Sequence, residues 1–308
     1  MTKYDVAVVG EIYIDHVFTG FPAWPQPGEE AFARQYYREI GGGAANTACA
    51  LGRLGRAVNL IGIIGASDAD WFEARLSEFG VASEGIYRAE GNTGVTASVS
   101  MVDDRSFFSY AGANEKLADM LRSAVTLASL RRARHVHFAL PLDRELAREL
   151  LPALRNAGCT TSLDVGFQRA WLTSPANLDT CRATDYFLPN EREALLLCGG
   201  GAADYLAFAQ KSGLQAAVIK LGSLGAAMRV NGTTYNVSSP VVDVVDTTGA
   251  GDAFDAGFID ALLDEADPED SLRRACICGG LSTRVEGSLR ALPRREEVID
   301  IYEQTYAP

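Results

Sequence analysis

The chain lacks any uninterrupted apolar run of about 18 residues, and no charged-then-apolar leader follows Met1. Neither membrane insertion nor secretion is expected. Six cysteines (Cys49, Cys159, Cys181, Cys198, Cys276 and Cys278) show no paired CxxC spacing, and Cys276 and Cys278 are poorly spaced on a helix to grip one metal. Reduced, mostly buried thiols in a cytoplasmic protein are the expectation. Histidine is scarce, and His16, His135 and His137 have no metal-ligand spacing. Basic clusters are missing too. With 28 Lys and Arg against 40 Asp and Glu, the net charge of −12 excludes a broad nucleic-acid-binding face. No GxGxxG follows the first strand, which excludes a Rossmann dehydrogenase.

What is present is a long globular chain: 308 residues, 47% hydrophobic, enough for one large α/β domain with an elaboration. Strand DVAVVG (Asp5–Gly10), a helix near Ala44–Leu54, strand VNLIGIIG (Val58–Gly65) and a helix near Ala69–Phe79 set a β-α-β-α rhythm. Such β-branched strands predict a parallel sheet covered on both faces. The rhythm resumes with HVHFAL, TTSLDV, DYFLP, a helix from Asn190, and AVIKLG (Ala217–Gly222). A hairpin is expected at Val230–Tyr235, where Asn231-Gly232 fits a type I′ turn. Two segments break the pattern. Tyr13–Ile40 alternates around Pro22, Pro25 and Pro27, and Thr93–Tyr110 reads as a hairpin turning at Asp103-Asp104.

Chemistry concentrates in VVDVVDTTGAGDAFDAGFIDALL, Val241 to Leu263. A β-branched run ends in a Gly-Ala-Gly turn that opens a helix, so unpaired N–H groups and a helix dipole converge on one anion-sized volume. Asp252 sits inside that turn. Beside a phosphoryl group in transfer, a carboxylate there can accept the proton of an attacking hydroxyl. At a helix N-terminus it is expected to be a weak base, because the dipole favours its ionised form.

DTTGAGDAF resembles the C-terminal signature of the ribokinase (PfkB) family of carbohydrate kinases. About 200 residues earlier EIGGGAANTACALGRLG, Glu39 to Gly55, resembles that family's N-terminal sugar-binding motif. The resemblance implies an α/β fold: a three-layer ribokinase-like domain with a mostly parallel central sheet flanked by helices, plus a small β-sheet lid. The main domain would hold residues 1–12, 41–92 and 111–308, and the lid 13–40 and 93–110. Exposed aromatics such as Phe32, Tyr36, Tyr37, Phe107 and Phe108 would make the lid a homodimer surface.

The implied activity is ATP-dependent transfer of the γ-phosphate to a primary hydroxyl of a monosaccharide, fructose-, ribose- or ketodeoxygluconate-like. Asp252 would be the base, with the amides of Gly249, Ala250 and Gly251 as the anion hole. Asp15, Gly41, Gly42, Gly43, Asn46 and Arg169 are the expected sugar contacts, Asn46 offering a donor and an acceptor to a diol. Asp164, Arg169 and Trp171 resemble an element of fructokinase-like and ketodeoxygluconate-kinase-like members. Asn190, Lys220, Gly222, Gly225 and Gly251 would meet ATP. Lys220 stands where relatives often carry a small hydroxyl residue. Glu193 would support Mg²⁺ through water, although Asn190 and Glu193 equally make a capping box. Asp246, Thr248, Ser282, Val285, Gly287 and Ala291 are the implied holders of a monovalent cation, K⁺. A nucleoside kinase of the same fold and a non-catalytic sugar or nucleotide sensor are the alternatives. An intact Asp252 and both glycine turns argue against the sensor.

Overall fold

In the computed structural model, residues 3–100 and 105–306 are described; the turn expected at Asp103-Asp104 lies outside them. Thirteen strands form among these residues: β1 (Tyr4–Gly10), β2 (Tyr13–Thr19), β3 (Gln35–Gly41), β4 (Val58–Gly65), β5 (Val81–Ala89), β6 (Gly94–Ser100), β7 (Arg105–Tyr110), β8 (Ala133–Ala139), β9 (Thr160–Asp164), β10 (Tyr186–Phe187), β11 (Ala216–Lys220), β12 (Ala226–Val230) and β13 (Thr233–Val237). Nine make one sheet, ordered β13-β12-β11-β10-β9-β8-β1-β4-β5. It is parallel from β5 to β11 and antiparallel only through β12 and β13.

Alternation along β1 explains the three layers. Val6 and Val8 pack into a core with the helices Gly43–Arg53, Ala69–Ser77 and Ala250–Leu263. Ala7 and Val9 pack on the other face with Leu146, Leu150 and Leu154 of the helix Arg144–Arg155. A strand buried on both sides must be apolar throughout, and β4 is buried at all eight positions. The expected hairpin forms between β12 and β13, with positive φ at Asn231 and Gly232 as a type I′ turn requires. Strand β5 is the element that pattern reading overlooks. Its burial neither alternates nor runs continuous, because it is the edge of the sheet.

The two irregular segments do come together, as a four-stranded sheet ordered β3-β2-β6-β7. Each hairpin is antiparallel, but β2 and β6 join in parallel. Register puts Asp15 beside Glu39, Val17 beside Tyr37, and Ser98 beside Phe107. These residues share one face and line a small pocket with Asp246, Thr248 and Arg290. The opposite face carries His16, Phe18, Tyr36 and Phe108; His16 and Phe18 pack on Tyr36, and Trp24 stacks on Phe108. Phe107 and Tyr37 therefore leave the expected dimer face: Phe107 looks into the pocket, and Tyr37 is half-buried under Arg290, 4.4 Å from ring centre to guanidinium carbon.

The small sheet is tied to the main one at its root. Asp68 accepts from Arg38 of β3 at 3.0 Å and from Thr93, just before β6, at 2.6 Å. Arg75 clasps both oxygens of Glu39 at 2.8 and 2.6 Å. Asn114 copies a strand partner for Ile12, accepting from its N–H at 3.1 Å and donating to its carbonyl at 2.9 Å.

Candidate active site

Two glycine turns meet where helices Gly43–Arg53 and Ala250–Leu263 pack side by side. The second helix opens on Gly249, which caps it in the left-handed region at φ 75°. A Cβ there would also stand 2.7 Å from the Ser288 Cβ, so only glycine lets the turn close. The Gly249 and Gly251 amides have no hydrogen-bond partner among the described residues, and Gly251 is exposed to the cleft. Ala250 departs from expectation: its N–H turns back to the Thr247 carbonyl at 3.2 Å, so only the two glycine amides are open.

Asp252 projects from this mouth toward the first turn. A Cβ built on Gly43 would lie 3.2 Å from its Oδ1, and the Asn46 amide donates to its Oδ2 at 2.8 Å. The weak-base expectation fails. Burial pushes the Asp252 carboxyl up to about 7, aided by the negative charges of Asp164 and Asp15; the Asn46 bond and the Lys220 charge only partly oppose this. Desolvation outweighs the dipole here. A carboxylate poised near neutrality suits a general base.

Asn46 is buried, and its acceptor end takes the Ser288 hydroxyl at 3.1 Å. It therefore orients Asp252, which commits one of its two N–H bonds and one of its two lone pairs. Asp15 lies against the same turn from the small sheet. A Cβ on Gly41 would fall 2.2 Å from its carboxylate atoms, so this glycine is what allows Asp15 its place. Burial and the neighbouring Glu39 charge push Asp15 up to about 6. Gly42 caps the first helix with no side-chain cap. Its amide-rich mouth faces carboxylates.

A cleft of about 780 Å³ runs from Asp252 past Asn190, Lys220, Gly222 and Gly225 to Val241, Val242 and Val244. Its far wall is Cys276, Gly279, Gly280 and Thr283, near the end of the helix Pro268–Ser282. That volume, with an apolar end and an amide-lined end, fits a nucleotide. The Gly279-Gly280 pair is a part pattern reading missed; two glycines inside a helical run are its signal.

Asn190 and Glu193 form the complete capping box. Asn190 accepts from the Glu193 N–H at 3.0 Å, and Glu193 accepts from the Asn190 N–H at 2.9 Å and amide at 2.7 Å. Burial, with the Asp164 charge, pushes Glu193 up to about 7. Both of its oxygens are engaged, and among the described residues no three metal-ligating side chains converge. That donor set fits a hard cation carried in on nucleotide phosphates and water, not a protein cage. Asp246 stitches two loops: it accepts from the Thr248 N–H and hydroxyl at 2.9 and 2.7 Å and from the Gly287 N–H at 2.9 Å.

The three residues of the fructokinase-like element do not gather at one site. Arg169 is exposed at a helix start and does not line the cleft. Trp171 is a core residue whose indole donates to the Leu142 carbonyl at 2.9 Å. Asp164 lines the cleft as the partner of Lys220, 2.5 Å away. Asp255, wholly buried and 3.0 Å from the Lys220 ammonium, was not foreseen; an Asp one turn beyond Asp252 in an apolar helix is its only trace.

A three-layer α/β fold with open glycine amides beside a carboxylate near neutrality has the parts that phosphoryl transfer to an alcohol requires. Comparison with known proteins narrows the class. A family model described as "pfkB family carbohydrate kinase" matches residues 3–295. The chain belongs to that family and is an ATP-dependent carbohydrate kinase. It is 27% identical to a ribokinase of Haemophilus influenzae over 97% of this chain and 98% of the relative. It is 31% identical to an ATP-dependent ribose-1-phosphate kinase of Halopiger xanaduensis, covering 89% and 90%. The solved structure of Arabidopsis thaliana ribokinase complexed with ribose and ATP superposes with a TM-score of 0.84 at 27% identity, over 97% and 98% of the two chains.

Proposed function

We propose that this kinase phosphorylates a primary hydroxyl of a small, uncharged, ribose-like monosaccharide. The observation that carries the reading is the convergence of Asp252 with Gly43 and Asn46 across two turns some 200 residues apart in sequence. The sugar would lie between Asp15 and Asp252, with Gly41 to Gly43 beneath it and the small sheet closing over it as a lid. The presence of two separate sheets supports reading residues 13–40 and 93–110 as a lid on a main domain. Asp252 takes the proton of the hydroxyl as it attacks; the Gly249 and Gly251 amides hold the charge developing on the phosphoryl group. Exclusion of water by the lid directs transfer to the sugar instead of hydrolysis.

Asn190, Gly222 and Gly225 would border the nucleotide, with adenine toward Val242 and Gly280. Mg²⁺, when bound with ATP, neutralises phosphate charge, and Glu193 would orient its waters through the free lone pairs of a capped carboxylate. The loops that Asp246 joins would hold K⁺ through the carbonyls of Asp246, Thr248, Ser282, Val285, Gly287 and Ala291. Three acids, Asp15, Glu39 and Asp246, line the pocket against one base, Arg290, and this balance disfavours ketodeoxy acids, as does the outlying Arg169. One observation favours a nucleoside kinase instead: Phe107, half-exposed over the pocket, offers a face for a base to stack on. Dimerisation would use the outer aromatic face of the small sheet. Among the described residues no helix is long and apolar enough to cross a membrane, in keeping with a cytoplasmic enzyme.

The test is ADP release across pentoses, ketohexoses, ketodeoxy acids and nucleosides, with Mg²⁺ and with or without K⁺. Turnover with a pentose above the other classes is expected. ADP release with nucleosides alone selects the second reading, and none at all rejects both.

A further inference from the structure

Lys220 ends β11 with its ammonium buried at the floor of the cleft. Nζ lies 2.5 Å from Asp164 Oδ2 and 3.0 and 3.3 Å from the two oxygens of Asp255. An ammonium has three N–H bonds. One meets Asp164, a second is shared between the close oxygens of Asp255, and the third has no acceptor among the described residues. A Cβ placed on Gly251 would stand 3.5 Å from Nζ, and both residues line the cleft, so the ammonium borders the cleft beside Gly251.

Two carboxylates would appear to cancel one ammonium twice over. Burial resolves this. Asp255 is wholly buried, and desolvation drives its carboxyl toward the protonated form, whereas the Lys220 charge holds Asp164 below the usual carboxylate range. Behind Asp255, His137 Nε2 is 3.9 Å from Oδ2 and lacks a hydrogen-bond partner. His137 Nδ1 and His135 Nε2 both meet the Ser162 hydroxyl at 2.7 Å, and His135 Nδ1 meets the Thr160 hydroxyl at 2.8 Å. Burial lowers both imidazoles, to about 4 and about 3, so this ladder is polar but uncharged. Lys220 is the one cation of the buried cluster.

We infer that Lys220 is a catalytic residue of this kinase: its uncommitted N–H donates to the terminal phosphoryl group, completing a three-donor cradle with the Gly249 and Gly251 amides. The inference rests on the kinase reading above and adds a fixed charge to it. Asp164 and Asp255 are positioning residues, holding the ammonium so that no side-chain rearrangement accompanies transfer. The charge is already dehydrated and aimed before the nucleotide arrives.

Calorimetric titration of the full chain with Mg²⁺ and either AMP-PNP or ADP tests this. One charge-assisted hydrogen bond to the terminal phosphate predicts that Lys220→Met weakens AMP-PNP binding about 10- to 100-fold and leaves ADP within about threefold. Because that variant strands two buried acids, Lys220→Met combined with Asp164→Asn provides a neutral pocket, and the same selective loss is expected. Variants that fold by circular dichroism and still distinguish the two nucleotides as wild type does would overturn the inference. So would equal weakening of both, the mark of a purely structural role. Wild-type protein that binds neither nucleotide would reject the nucleotide site itself, and the inference with it.

Discussion

The two glycine-rich helix mouths, Gly41–Gly43 and Gly249–Gly251, use similar residues to opposite ends. At the first, the absent side chains are occupied by carboxylates: Asp15 presses on Gly41 and Asp252 approaches Gly43. At the second, the absent side chains leave amides open, and the acid of that turn faces across to its neighbour. One turn is packed against carboxylates; the other leaves amides facing the cleft. The difference shows that a glycine run has no fixed chemistry. What matters is whether the space above it is filled by protein.

Removing the acid that links the two mouths breaks the comparison most severely. Asp252→Asn should lower kcat at least about 1,000-fold, measured by ADP release, because the hydroxyl loses its proton acceptor. The same variant should raise the melting temperature near pH 8 by a few degrees, roughly, and leave it unchanged near pH 4. The sign follows from the raised carboxyl. Folding takes up a proton between about 4 and about 7, so the contribution of Asp252 to stability declines as pH rises through that window.

Filling the first mouth comes next. Gly41→Ala places a methyl group within 2.2 Å of Asp15 and should cut kcat/KM for the sugar about 100-fold, while ADP affinity is retained in a binding titration. Asn46→Ala removes a donor that favours the ionised base. Wild-type kcat/KM should rise with pH to a plateau above about 7, and this variant should move that limb upward, with about a tenfold loss at pH 7. The smallest effect belongs to Gly43→Ala, whose methyl group meets Asp252 at 3.2 Å; a loss of about threefold in kcat would show that the base yields slightly.

What could be read from the residues alone divides along similar lines. The glycine turns, Asp252 and the capping box of Asn190 and Glu193 are local in sequence, and each was legible because its geometry is made by neighbours. The Asp164–Lys220–Asp255 cluster was not. Its members end β9, end β11 and sit inside a helix, and only the sheet order brings them together. The partners of Asn46 within the protein were not legible either, because Ser288, which its amide oxygen meets, lies 242 residues away. Arg169 and Trp171 misled because spacing carries no orientation: a helix of four residues turned one into the core and left the other exposed. Strand β5 escaped because edge strands need neither alternation nor an apolar run.

Asp68 holds Arg38 with one oxygen and Thr93 with the other, so a single carboxylate fastens the roots of both hairpins. The hairpins are also fused in parallel through β2 and β6. They cannot swing as independent flaps. Any movement of one hairpin would carry the other, and a spectroscopic label on either hairpin should report the same single rate.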